Sequence, residues 1–338
     1  MSGPVATLPL DGLANYLATA MPGFGRLHDA RKFPGGQSNP TFLLEADSGQ
    51  YVLRRKPPGQ LLKSAHAVDR EYRVMAALAG SGVPVPKVFH LCADDAVIGG
   101  MFYVMEYVRG EVYWDPELPG LDASARSRLY DEMGRVLAAL HTVDVAAVGL
   151  SDFGRPGQYF ERQIRRWTEQ YRATETERRE DIERLIEWLP ANLPPDDGRS
   201  GIVHGDFRLD NIVFDREHRA IAILDWELST LGHPLADLAY QCAQWRLPAG
   251  ELRGLAGIDR AALGLPTEDA YVEAYRRRTG LPPITNWPFY LAVSLFRLAA
   301  ICQGVYKRAL SGNASNTDAL RFGRVTADIG AVAVRIIE

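Results

Sequence analysis

Ile202-Val203-His204-Gly205-Asp206-Phe207-Arg208-Leu209-Asp210-Asn211 runs directly into Ile212-Val213-Phe214-Asp215. After a polar turn, Ile221-Ala222-Ile223-Leu224 leads to Asp225-Trp226-Glu227. A His is followed two residues later by an Asp, and that Asp five residues later by an Asn. A second Asp closes the next apolar run. Phosphoryl transfer needs a carboxylate beside the attacking hydroxyl and oxygen ligands that hold Mg²⁺ against the phosphates. The first loop offers a base, Asp206, and one metal ligand, Asn211. The second segment offers the other ligand, Asp225. The apolar runs 212–214 and 221–224 are expected to pair as a hairpin and fix the spacing. His-x-Asp alone is an ordinary polar loop and Asp225 alone a strand-end cap. The ordered set in its β context is far more specific.

Upstream of this segment the chain reads as strands. They are expected over 28–34, 41–46 and 51–55, with Asp47-Ser48-Gly49 as a turn between the last two. A helix over 64–79 follows, its apolar face formed by Val68, Tyr72, Met75, Ala76 and Leu78. Gly80, Gly82, Pro84 and Pro86 stop it. Two more strands are expected over 87–92 and 101–108. Beyond them the pattern turns helical, over 123–141, 157–172, 178–189, 234–245, 268–279, 288–310 and 317–337. The β-rich insert 202–224 interrupts those helices. The expected fold class is therefore α+β: a small β-rich lobe over 1–105, a hinge at 106–110, and a larger, mainly helical lobe over 111–338.

Bulk properties narrow the function classes. The 338 residues are 46% hydrophobic and 24% charged, an ordinary balance for a globular enzyme. A net charge of −4 supplies no global field toward nucleic acid or anionic membrane, so neither is an expected partner. Cys92, Cys242 and Cys302 are isolated and lack CxxC spacing. They fit a reducing cytoplasm rather than a disulfide framework or a structural zinc site. Residues 1–10 carry no basic segment followed by an apolar core, so no secretory signal is expected. The apolar stretch 287–302 contains Arg297 and is shorter than the about 20 residues a membrane span needs, so it reads as a core helix.

With these residues in view, the chain resembles the aminoglycoside phosphotransferase-like (APH) family, relatives of the protein-kinase fold. Within that family it looks most like the kinase-like domains found beside acyl-CoA dehydrogenases. The resemblance spans residues 33–310 and is strongest at 204–211 and 225–227. It implies a protein-kinase-like two-lobe fold, ATP and Mg²⁺ as cofactors, and a small-molecule hydroxyl as acceptor. By this resemblance Asp206 is the catalytic base, and Asn211 and Asp225 bind Mg²⁺. Asp237, in Leu231-Gly232-His233-Pro234-Leu235-Ala236-Asp237-Leu238-Ala239, braces the catalytic loop.

In the β-rich lobe, Gly35-Gly36-Gln37-Ser38-Asn39 lies between two strands, where glycines let backbone N–H groups approach phosphates. Ser38 and Asn39 are candidate contacts there. Arg54 stands where the family places a Lys or Arg on the α- and β-phosphates, with Glu71 as its ion-pair partner. Arg can bind phosphate bidentately, but the cluster Arg54-Arg55-Lys56 leaves open which cation does so. Arg55 and Lys56 also read as a solvated strand end. Backbone groups of Glu106 and Val108 are expected to meet adenine. Trp226-Glu227 replaces the Phe-Gly of protein kinases, and no long activation segment separates Asp225 from Asp237. Both departures favour a small-molecule substrate. His141, His204, Trp167, Tyr171, Trp287, Tyr290 and Tyr306 read as structural residues, His204 as a support of the loop.

The acceptor is read from charge. Segment 157–172 carries Arg162, Arg165, Arg166 and Arg172 against Glu161 and Glu169, and 288–310 carries Arg297, Lys307 and Arg308 with no acid. An aminoglycoside is a polycation and needs an acidic pocket. These segments instead suggest an anionic acceptor, a hydroxy acid or hydroxyacyl-CoA, unless the charges are simply solvated helix faces. An antibiotic kinase and a non-catalytic, pseudokinase-like binding protein are the two alternatives.

Overall fold

The computed structural model describes residues 8–33, 39–57, 67–312 and 317–338. The backbone divides into two compact units. The smaller comprises Met1–Glu111, Val213–Asp215 and Ile221–Leu228, and the larger the remainder.

In the smaller unit, helix α1 (Leu10–Ala20) precedes strands β1 (Leu27–Lys32), β2 (Thr41–Ala46) and β3 (Gly49–Arg55). Helix α2 (Val68–Leu78) and strands β4 (Val88–Cys92) and β5 (Phe102–Glu106) follow. The five strands form an antiparallel sheet in the order β1-β2-β3-β5-β4. Strand side chains alternate between faces, and that alternation sorts the basic cluster. Leu53, Phe102 and Val104 join a core with Leu13 and Leu17 of α1. Arg55 follows them: it is buried, donates to the Ile98 carbonyl at 2.9 Å and lies 5.9 Å from the Phe42 ring centroid. Arg54 pairs in register with Tyr103 and faces α2. Arg55 is thus no solvated strand end, a correction that follows from its position one residue along a sheet buried on both faces.

Helix α1 was not anticipated, although Leu10, Leu13 and Leu17 recur at helical spacing and the last two are fully buried. The glycine-rich segment with Ser38, and residues 64–66 of the expected helix 64–79, lie outside the described residues.

The larger unit holds α3 (Ala123–His141), α4 (Tyr159–Thr174), α5 (Glu180–Ala191) and the short strand β6 (Gly201–Val203). The hairpin β7 (Ile212–Phe214) and β8 (Ala220–Ile223), most of which belongs to the smaller unit, pairs as expected. Strand β9 (Thr230–Gly232), antiparallel to β6, leads into α6 (Leu235–Trp245). Then come the single turn α7 (Arg260–Leu263), α8 (Glu268–Thr279), α9 (Trp287–Leu310) and α10 (Phe322–Ile337). Caps set several boundaries: the side chains of Asp122 and Thr267 accept from Ala125 N and Ala270 N at the starts of α3 and α8. The last helix begins at Phe322 rather than at 317, because a 3₁₀ turn, Thr317–Arg321, precedes it.

Helix α9 corrects the length argument made for 287–302. At 24 residues it is long and apolar enough to cross a bilayer, but 72% of its apolar 18-residue stretch is buried within the protein. It packs on α4, α5, α6 and α10 as the central core helix.

Candidate active site

In the larger unit the His204–Asn211 loop is held by one buried carboxylate. Asp237, on the first turn of α6, accepts from His204 N at 2.6 Å through Oδ2 and from Gly205 N at 2.8 Å through Oδ1. His141 Nε2 lies 3.2 Å from Oδ2, and its Nδ1 meets Tyr275 Oη at 2.6 Å. Burial alone would push the Asp237 carboxyl up. The His141 hydrogen bond and charge, the His204 charge and the Gly205 N–H outweigh it and hold the group below its ordinary value. Gly205 takes φ +85°, the turn that brings successive amides toward Asp237. Replacing Asp237 by Ala strands two buried N–H groups, each costing about 1–3 kcal/mol. The expected result is a clearly lowered thermal midpoint together with loss of activity, read by calorimetry and assay on the same sample.

Asp206 follows, its side chain 21% exposed. Oδ1 accepts from Tyr240 Oη at 2.9 Å and lies 3.2 Å from Arg208 Nε; Oδ2 accepts from Asn211 Nδ2 at 3.0 Å. Asn211 Nδ2 also donates to the Asp206 carbonyl at 2.9 Å. With the nitrogen so occupied, the amide oxygen of Asn211 is left for a cation. Asp206 N donates to His204 Nδ1 at 3.2 Å, so His204 supports the turn. The sequence reading did not single out Arg208 or Tyr240 for this site.

In the smaller unit Arg54 is the centre. Its Nε lies 3.0 Å from Glu71 Oε2, and its Nη2 lies 2.6 Å from Asp225 Oδ1 and 3.4 Å from Glu227 Oε2. Glu71 also accepts from Tyr103 Oη at 3.0 Å and from Asn39 Nδ2 at 2.9 Å. Asn39 is buried, so its side chain reaches Glu71 rather than an open phosphate site. Asp225 adopts φ +62°, an uncommon conformation that Asp tolerates better than most residues.

The shifts of the two ion-pair partners both point upward, for different reasons. Burial would lower the Arg54 pKa, but Glu71, Asp225 and Glu227 raise it, so the guanidinium stays charged. Burial pushes the Glu71 carboxyl up, with help from Asp225 and Glu227, while Arg54 and the Tyr103 hydroxyl pull it down; together they leave it at about 7. A carboxyl whose pKa is raised from 4.5 in the fold favours folding fully below 4.5. That contribution fades as pH rises through about 7. The wild type should therefore lose stability relative to Glu71→Gln over that interval. Thermal melts of both proteins from pH 4 to 8, free of nucleotide and Mg²⁺, read the difference.

The donor set suits a divalent cation. Glu71, Asp225 and Glu227 face the Arg54 guanidinium, and Asp225 carries carboxylate oxygens of the kind Mg²⁺ takes. Among the described residues no group of three His, Cys, Asp or Glu side chains forms a self-sufficient metal cage. Mg²⁺ bound through one or two side-chain oxygens plus phosphates and water requires no such cage.

Glu106 ends β5 exposed, and its N–H is already committed to the Lys87 carbonyl at 2.8 Å. The Val108 N–H and C=O make no backbone hydrogen bond among the described residues. Nearby, an added Cβ on Gly110 would come within 2.4 Å of the Phe214 carbonyl oxygen, so that close passage requires glycine.

An antiparallel small lobe, a helical lobe and these carboxylate clusters define a phosphotransferase of the protein-kinase-like fold. The chain belongs to the APH family, the phosphotransferase enzyme family, whose model matches residues 29–284. It is 48% identical over 334 residues to acyl-CoA dehydrogenase family member 10 of Mus musculus, covering 96% of this chain and 31% of that protein. It is 44% identical to the probable acyl-CoA dehydrogenase IBR3 of Arabidopsis thaliana, covering 94% and 41%. The chain thus spans less than half of these relatives' length. A crystal structure from Ralstonia eutropha, named as a candidate aminoglycoside phosphotransferase, is 47% identical with a TM-score of 0.90, covering 98% of each chain. The aminoglycoside phosphotransferase APH(4)-Ia, solved with AMP-PNP and hygromycin B, shares the fold at 15% identity and a TM-score of 0.63, covering 96% and 98%.

Proposed function

We propose that this protein transfers the terminal phosphoryl group of ATP to a hydroxyl of a hydroxyacyl-CoA or the corresponding hydroxy acid, in the cytoplasm and with Mg²⁺. The observation that carries the kinase reading is Asp206, a partly exposed carboxylate fixed by Tyr240 and Asn211 on a loop pinned by Asp237. In this reading Asp206 orients the acceptor hydroxyl and takes its proton. The oxygen's electron pair forms the new O–P bond as the bond to the departing ADP oxygen breaks. Arg54, kept charged by its carboxylates, offsets phosphate charge, and Glu71 aims it. Asn211 and Asp225 would hold Mg²⁺, which would supply charge neutralisation at the phosphates. Val108, whose backbone groups make no backbone hydrogen bond among the described residues, would meet adenine, and Glu106 would offer its carbonyl oxygen.

The acceptor class leans on the relatives rather than on surface charge. Arg162 donates to the Gly157 and Arg155 carbonyls, Arg172 pairs with Glu175 and Glu183, and Arg297 donates to the Gly205 carbonyl. Those cations serve the fold. Arg165, Arg166, Lys307 and Arg308 remain exposed, a smaller basic set than the sequence suggested. The strong similarity to proteins named acyl-CoA dehydrogenases supports an acyl acceptor. The name of the Ralstonia relative keeps aminoglycosides as the competing class. Mass spectrometry of reactions offered hydroxyacyl-CoAs, free hydroxy acids and aminoglycosides tests the choice. A phosphorylated hydroxyacyl product supports it, and phosphorylation of amino-sugars alone overturns it.

A further inference from the structure

We propose that Tyr240 is a positioning residue for the reaction, holding the Asp206 carboxylate so that one oxygen, Oδ2, faces the acceptor; this rests on the phosphotransfer reading above. Tyr240 lies three residues beyond Asp237 on α6, so the two side chains share a helix face. That face anchors the catalytic loop twice in succession. Asp237 takes the N–H groups of His204 and Gly205, and Tyr240 donates to the side chain of the next residue, Asp206.

The ring cannot easily drift. Tyr240 is buried, and the Arg297 guanidinium of α9 lies 5.1 Å from its ring centroid while donating to the Gly205 carbonyl. Arg297 is itself 5.6 Å from the Trp167 ring of α4. Burial, followed by the Asp206 carboxylate, pushes the phenol well above its ordinary pKa, so it stays a donor. A carboxylate oxygen offers two lone pairs. Oδ1 accepts from Tyr240 and lies beside the Arg208 guanidinium, whereas among the described residues Oδ2 accepts from Asn211 alone, leaving one lone pair on Oδ2 for the acceptor proton.

A tyrosine that merely fills the core would lower stability without acting through Asp206. A double-mutant cycle separates the two roles. Acceptor-dependent ADP release is measured for wild type, Tyr240→Phe, Asp206→Asn and the double variant, with basal Mg²⁺-ATP hydrolysis read in parallel. Phe keeps the ring beneath Arg297 and removes only the donor. The expected result is a kcat lowered about 10–100-fold in Tyr240→Phe, with KM for ATP and acceptor unchanged and no further loss in the Asp206→Asn background. Replacement of Tyr240 by 4-aminophenylalanine, which restores an N–H donor on the same ring, should recover most of the rate even if the Phe variant folds poorly. Wild-type kcat in Tyr240→Phe, an equal loss in both backgrounds, or no recovery with the amino analogue would overturn the role. Equal turnover by wild type and Asp206→Asn would instead overturn the phosphotransfer reading itself.

Discussion

Asp206→Ala is expected to lower acceptor-dependent turnover by about 10²–10⁴-fold, the range a positioned general base supplies. Nucleotide affinity should hold. Asp206 belongs to the larger unit, and its partners are Tyr240, Asn211 and Arg208. Arg54, Glu71 and Asp225 hold one another in the smaller unit, and removing the Asp206 carboxylate touches none of those contacts. The fold should also survive, because Asp237 rather than Asp206 carries the loop's amides. Single-turnover kinetics and calorimetric titration with Mg²⁺-ATP check both halves. Unchanged turnover would remove Asp206 from the role of base.

Asp225→Ala is expected to act on the nucleotide instead. Loss of a group supporting a metal site costs about 10–100-fold in affinity, and loss of a ligand at least that. The effect should depend on the metal. With Mg²⁺ present the variant should bind ATP far more weakly. Without Mg²⁺ the difference should vanish or reverse, because one of the carboxylates that repel the phosphates is gone and Arg54 loses a partner 2.6 Å away. Titrations with and without Mg²⁺ read this directly. Equal weakening in both conditions would mean that Asp225 serves the fold rather than the metal.

The parts of this site legible in sequence were those in which one short segment carries several polar groups at fixed spacing. His204, Asp206 and Asn211 are such a segment, and the β7–β8 hairpin after them was visible as two apolar runs. The Arg54–Glu71 pairing was also anticipated and is present at 3.0 Å. Tyr240 and Arg297 were not seen as partners of the loop, because each sits in a helix whose apolar pattern reads as core. Only tertiary packing brings them to Gly205 and Asp206. Strand alternation could say that Arg54 and Arg55 face opposite ways, but not which face meets Glu71. Burial on both sides of the sheet settled that, with Arg55 against Phe42 and Ile98. Helix α1 escaped because Pro9 gives no side-chain cap to mark its start, although Leu13 and Leu17 mark its buried face.

The most direct test of the central claim is ADP release from Mg²⁺-ATP across hydroxyacyl-CoAs, hydroxy acids, aminoglycosides and amino alcohols, with Asp206→Ala as the control. Stimulation by the hydroxyacyl class, absent from the control, is the predicted result. ATP binding with no acceptor raising turnover above the Asp206→Ala level would contradict it and favour a protein that binds nucleotide without transferring phosphate.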